Sequence, residues 1–337
     1  MPMFGGRGPL TPRRAAAITG ALLLVVGAAF FAALSVGSVG IPASSMADLL
    51  GGGDRLSAAE KAILLQIRLP RVLLALLVGA GLSLAGAVFQ ALLRNPLAEP
   101  YILGISSGGT MGTLIAASLA AGAASPAVPA ASFLGSLSVT ALVYTLARKR
   151  GTLDTSLLLL AGVMIGAFFH AAVLLFVALS REDSRNAYLW LMGNLGAADM
   201  KELALVAPGV LIAAGFLFAQ ARKLNLISTG DEDALQLGVN VPGLKRLAYL
   251  LASLVTGLVV SVSGVVGFVG LIIPHICRIL FGPDHRILLP SSFLCGGLFL
   301  LLADVVSRTT LAPAEIPVGV VTAALGAPLF IYLLRRT

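Results

Sequence analysis

Apolar residues run along this chain in long blocks, parted by short breaks that carry arginine, proline and glycine. Ten blocks are legible, at about 15–36, 62–93, 103–120, 127–147, 155–179, 203–221, 246–268, 270–281, 287–307 and 317–334. Most reach the roughly 20 residues that a helix needs to cross a bilayer. The eighth is short and led by a proline, so it is expected to be half-buried rather than a full crossing. The break at 180–202, with Tyr188 and Trp190, suits a helix lying along the membrane surface.

Two stretches share one pattern. Arg68 to Gly112 opens with arginines around a proline, runs uncharged from Val72 to Leu93, breaks at Asn95-Pro96 and Glu99-Pro100, and enters a ladder of Gly104, Gly108 and Gly112. That spacing of four puts the glycines on one helix face, where a neighbouring backbone can come close. The pattern returns from Arg246 to Gly282. Without gaps, Arg68 falls on Arg246, Gly79 on Gly257, Ser83 on Ser261, Gly86 on Gly264, Val88 on Val266, Pro96 on Pro274 and Gly104 on Gly282. Matched leucines mean little in membrane spans, but matched Gly, Ser and Pro each do a specific backbone job. Two pseudo-repeats follow, about 62–200 and 240–337, within one domain covering 1–337. The second and seventh spans run in opposite directions, so the repeats are inverted, an arrangement that places a transport pathway at the repeat interface. The fold class is an all-α membrane protein of about ten transmembrane helices.

Composition agrees. Of 337 residues, 58% are hydrophobic and 11% charged, against about 25% charged in soluble domains. The net charge of +8 does not point to nucleic acid, because the basic residues sit at span ends. Arg7, Arg13, Arg14, Arg94, Arg148, Lys149, Arg150, Arg222, Lys223, Lys245, Arg246, Arg278, Arg286, Arg335 and Arg336 share one side, and Arg55, Lys61, Arg68, Arg71, Arg181, Arg185, Lys201 and Arg308 the other. The richer side is expected to be cytoplasmic, with both termini there. Cys277 and Cys295 lie in apolar segments and give no disulfide or metal framework.

Catalytic signals are sparse. There is no P-loop and no H-E-x-x-H. A literal G-x-S-x-G at 104–108 opens a membrane helix, whereas a nucleophile elbow needs a strand before it; an intramembrane hydrolase using Ser106 with His170 is the enzyme alternative. His170 follows Gly162 and Gly166 at helical spacing, either lining a pathway or bonding a neighbouring helix. Asp304 and Arg308 are spaced for a local ion pair. Few acidic residues lie at mid-depth, which argues against a stand-alone secondary carrier and puts the energy source elsewhere. Residues 222–246 read as a rigid knob. Thr229 and Glu232 fit a capping box, with Asp231 and Asp233 in the first turn. Ala234, Leu235 and Leu237 follow, Gly238 stops the helix, and Pro242 after Val241 starts another turn.

Taken together, these stretches resemble the permeases of type II ATP-binding-cassette importers (FecCD-type), which move iron-siderophores, haem and vitamin B12. The resemblance covers nearly the whole chain. It is most specific at RLPR (68–71), GAVFQALLRNPLAEPYILGISSGG (86–109), TSLLLLAG (155–162), ALQLG (234–238), GFVGLIIPHICR (267–278), DHR (284–286), ADVVSR (303–308) and AEIPVGVVTAALGAPLF (314–330). It implies a homodimer of ten-helix subunits in the bacterial inner membrane, a pathway between the copies, two cytoplasmic ATPase subunits and a periplasmic binding protein. ATP and magnesium then belong to the partners, and this chain carries no cofactor. By the same resemblance, Arg68, Arg71 and Arg308 meet acidic residues of the binding protein, and Thr155 and Ser156 form the inner gate. The loop with Thr229, Asp231, Glu232, Ala234, Leu235, Gly238, Val241 and Pro242 enters the ATPase cleft. The expected cargo is an iron(III)-siderophore, with haem or cobalamin as alternatives.

Overall fold

In hydrocarbon a backbone amide finds no water, so a spanning chain must satisfy it within a helix. The computed structural model, which describes residues 11–37, 57–119, 127–149, 152–179 and 191–336, follows that rule. Its helices are α1 (Pro12–Ser35), α2 (Ala58–Leu93), α3 (Ile105–Leu119), α4 (Ala127–Ala147), α5 (Thr155–Leu179), α6 (Met200–Ala219), α7 (Ala221–Thr229), α8 (Asp231–Gln236), α9 (Val241–Ser263), α10 (Val269–Phe281), α11 (His285–Thr309) and α12 (Val318–Arg336). Between α4 and α5 lies a small antiparallel pair, β1 (Arg148–Lys149) and β2 (Thr152–Leu153). Ten helices thus match the ten apolar blocks, while α7 and α8 are extra. Among the described residues, seven are long and apolar enough to cross a membrane: α1, α2, α4, α5, α6, α9 and α11. With 13 residues, α10 reaches about 20 Å at 1.5 Å per residue, short of a bilayer core of about 30 Å. Its Pro274 lies inside the helix rather than leading it. The third block was expected to span, yet α3 has only 15 residues. Trp190 and Tyr188, the anchors expected for a surface helix, lie outside the described residues.

The bundle is built around α2, which packs on α9, α10 and α11. Its most apolar stretch is 89% buried, against 11% for α1 at the periphery. Glycine permits this. A Cβ on Gly86 would overlap the carbonyl of Gly270 in α10, and one on Gly79 that of Gly296 in α11. The glycine ladder divides between two neighbours instead of serving one face. Gly104 precedes α3 with φ +75° and abuts Gly166 of α5, whereas Gly108 and Gly112 meet the carbonyls of Gly135 and Ala131 in α4. Tyr249 of α9 closes the centre: its hydroxyl donates to the Thr140 carbonyl (3.1 Å), and its ring lies against Tyr144 and Phe89.

The ungapped register of the repeats needs correction. It holds along α2 and α9, where Gly79 and Gly257 are both interior. It then fails, because α9 ends at Gly264 (φ +66°) while its counterpart Gly86 stays deep in α2. Pro96 lies in the linker after α2, but Pro274 is inside α10; Gly104 precedes a helix, but Gly282 ends one. The two α2-type helices differ in length, so no single offset serves both halves.

Gly86→Ala should cost about 3 kcal/mol by overpacking α2 on α10. Gly20→Ala and Gly27→Ala should cost nothing, since a Cβ there meets no atom within 4 Å. Thermal melting of the purified protein in detergent checks this; equal melting of all three would show that close approach at Gly86 is not limiting.

Candidate functional site

Polar chemistry gathers at the two ends of the bundle. At one end α8 projects between α7 and α9. The expected capping box is absent: Thr229 is the last residue of α7, its hydroxyl donates to the Leu226 carbonyl (2.8 Å), and Gly230 takes the cap position of α8 without a side-chain bond. The stop is as expected. Gly238 (φ +80°) donates to the Leu235 carbonyl, and Val239 to that of Ala234, each at 2.9 Å, which is a Schellman closure. Asn240 then caps α9, accepting from the Gly243 amide (3.0 Å), with Pro242 in the first turn. What fixes α8 is Asp231. One carboxylate oxygen pairs with Arg94 at the end of α2, the other with Lys245 of α9. The Lys245 side chain is only 6% exposed, so losing this partner would leave a buried ammonium without a carboxylate. Leu235 and Leu237 remain exposed, at 54% and 66%.

Beside α8 a groove of about 580 Å³ is lined by Lys149, Asp154, Thr155, Ser156, Asp231 and Leu235, among others. Thr155 and Ser156 thus start α5 on the same wall as α8. Asp154 caps that helix, its carboxylate accepting from the Ser156 amide at 3.0 Å and the Leu157 amide at 3.1 Å. Nearby, Asp284 caps α11. Burial alone would raise its carboxyl, but bonds from Arg286, Asn225 and the Arg286 amide outweigh that and hold it at about 2, so it stays ionised at neutral pH.

The opposite end holds Arg68, Arg71 and Arg308. Expected as exposed charges, they are buried, at 5%, 6% and 6% exposure. The reason is local. Helix α1 ends with unpaired carbonyls, and arginines supply the donors: Arg68 reaches the carbonyl of Leu34 (2.8 Å), and Arg308 those of Val36 (2.6 Å) and Ala33. Arg71 lies deeper, with Nε on Asp304 (2.8 Å) and Nη1 on Glu315 (2.8 Å). The expected Asp304–Arg308 pair is present at 3.3 Å, so Asp304, with no exposure, joins two arginines.

His170 is exposed on α5, while Gly162 and Gly166 pack on Leu103 and Gly104, so it has drifted off their face. Ser106 is buried on α3, and among the described residues no hydrogen bond joins it to His170. Sequence reasoning missed Glu99. From the linker after α2 it accepts the amide of Phe268 (2.6 Å), a bulky residue at φ +69° that begins α10. It also missed Gln90, which donates to the carbonyls of Gly270 (3.3 Å) and Leu271 (3.2 Å) and accepts from Arg278 (3.2 Å). A glutamate and a glutamine inside otherwise apolar stretches were the available signals.

The FecCD transport family matches residues 22–336. A cobalamin import system permease of Halobacterium salinarum is 45% identical, covering 80% of this chain and 72% of its own length. A hemin transport system permease of Yersinia pestis is 43% identical, covering 90% and 92%, and a vitamin B12 import system permease of Salmonella paratyphi A is 43% identical, covering 85% and 87%. A solved metal-chelate type ABC transporter, in an inward-facing conformation, superposes with a TM-score of 0.84 at 32% identity, covering 95% of this chain and 99% of its own.

Asp231→Asn should strand the buried Lys245 charge and cost about 3 kcal/mol, whereas Arg94→Ala, which loses a half-exposed pair, should cost about 1 kcal/mol or less. Lys245→Met in the Asp231→Asn background should restore most of the loss. Melting in detergent decides; equal small losses would show that Asp231 is not the anchor of α8.

Proposed function

This chain belongs to the FecCD transport family and is a permease of a type II ATP-binding-cassette importer, and from that premise we propose that it carries a bulky metal chelate inward across the cell membrane. The names of its relatives, which transport cobalamin and hemin, are the observation that carries this reading. They favour a corrin or porphyrin chelate over the iron(III)-siderophore expected first. In proteoliposomes holding the permease, its ATPase and its binding protein, labelled cobalamin or haem should accumulate on addition of ATP. Accumulation of a ferric siderophore alone would return the cargo to the first expectation.

The working unit is a homodimer in the bacterial inner membrane, with the pathway between the copies. Two cytoplasmic ATPase subunits dock at the α8 end, which makes that end and both termini cytoplasmic, and a periplasmic binding protein docks at the arginine end. ATP and magnesium belong to the ATPase subunits. Exposed Leu235 and Leu237 support α8 as the docking element, and Asp231 gives it a grip on α2 and α9. Thr155 and Ser156, on the wall shared with α8, serve as the inner gate, and exposed His170 lies further along the pathway on the same helix.

Gate and coupling should separate by mutation. Thr155→Trp with Ser156→Trp should stop uptake while hydrolysis still responds to the loaded binding protein. Leu235→Asp should leave an assembled permease whose ATPase subunits bind at least tenfold more weakly, about 1.4 kcal/mol, and ignore the binding protein. Normal stimulated hydrolysis in Leu235→Asp would remove α8 from the coupling path.

A further inference from the structure

Arg71 holds two carboxylates of unequal standing. Asp304 is fully enclosed and shared with Arg308. Glu315, whose two oxygens lie 3.0 and 2.8 Å from Nη1, keeps a side chain that is 48% exposed. An ion pair with one foot in water is weak and exchanges readily, whereas a buried one does not. Arg68 and Arg308 are committed to the end of α1. Arg71 differs in having a carboxylate partner that reaches the surface.

We propose that Glu315 is a displaceable internal partner of Arg71, occupying the place that a carboxylate of the docking protein takes. This rests on the reading that a binding protein docks at the arginine end. Within this cluster the expected basic charge of Arg71 is covered by an acid, Glu315. An approaching carboxylate is repelled until Glu315 turns aside. Once it does, Arg71 and Arg308 share the single carboxylate of Asp304, and the guanidinium of Arg71 becomes attractive to an incoming acid.

The surroundings allow this exchange at the level of one side chain. The backbone on either side of Glu315 is tied down: Ala314 donates to the Leu311 carbonyl (2.9 Å), Ile316 to that of Ser307 (3.1 Å), and the Ser307 hydroxyl to the Ile316 carbonyl. Gly196 borders the pair: a Cβ there would stand 3.0 Å from Oδ1 of Asn194, and in ordinary contact with Oε2 of Glu315 (3.5 Å) and Nη1 of Arg71 (3.6 Å).

The test uses full-length permease with its ATPase subunits in nanodiscs and the cognate binding protein purified from the native host, with association followed by surface plasmon resonance. Glu315→Gln should raise the on-rate about tenfold at low salt, by removing repulsion and freeing Arg71. The gain should shrink at high salt and vanish in Arg71→Gln with Glu315→Gln. A purely structural Glu315 predicts a lower melting temperature with an unchanged or slower on-rate, and that result overturns the proposal. If wild type forms no complex, the docking reading fails and the proposal with it; if wild type docks but Glu315→Gln gains nothing, the proposal alone fails.

Discussion

The approach of the α2 backbone to the carbonyls of Gly270 and Gly296 is the contact on which the rest of this bundle depends. In lipid, helices gain nothing from hiding apolar surface from water, so they associate through close packing and internal hydrogen bonds. Glycine supplies the first at α2, and Gln90, bonded to the carbonyls of Gly270 and Leu271, supplies the second. The same helix meets both charged networks, with Arg94 just past its last turn against Asp231 and Arg71, inside its first half, against Asp304. A rod gripped along its length thus joins the two polar ends of the molecule through its centre.

Much of this was legible from the chain alone, for physical reasons. Block length is a direct consequence of bilayer thickness, so the spans at 127–147 and 155–179 match their helices to the residue. Local backbone chemistry was readable too: Gly238 stops α8 because a left-handed residue is needed there, and Asp304 meets Arg308 one turn away. Failures came where the deciding partner is distant or where two local solutions compete. Arg68 and Arg308 read as exposed because their acceptors, the last carbonyls of α1, are backbone atoms that leave no mark in a side-chain pattern, and Arg71 because its carboxylates lie far along the chain. Glu315 meets Arg71 from 244 positions away, and Glu99 meets Phe268 from 169. Thr229 could have capped α8, but it belongs instead to the last turn of α7, which gave its hydroxyl a carbonyl within the helix.

The two charged ends are built differently, and the difference suits their uses. At α8 one acid serves two bases, and the lysine among them is buried, so the anchor is rigid. At the arginine end one acid is sealed in and the other open, so part of the network is fixed and part can change partners. Buried ion pairs add little net stability compared with apolar packing of the same volume. Their value here is positional: they fix where helix ends sit without demanding bulky contacts.

Helix α1 has little burial along its length; it packs on α11, and its last carbonyls receive Arg68 and Arg308. Its negative end therefore acts as a counter-ion made of backbone. Because any helix ends in the same carbonyls, the identity of the α1 side chains matters little to this role, while its end point matters greatly. The exposed positions of the first span can drift in sequence at small cost as long as it stops at the same level, whereas lengthening or shortening it by a residue would turn its carbonyls away from the two buried guanidinium groups.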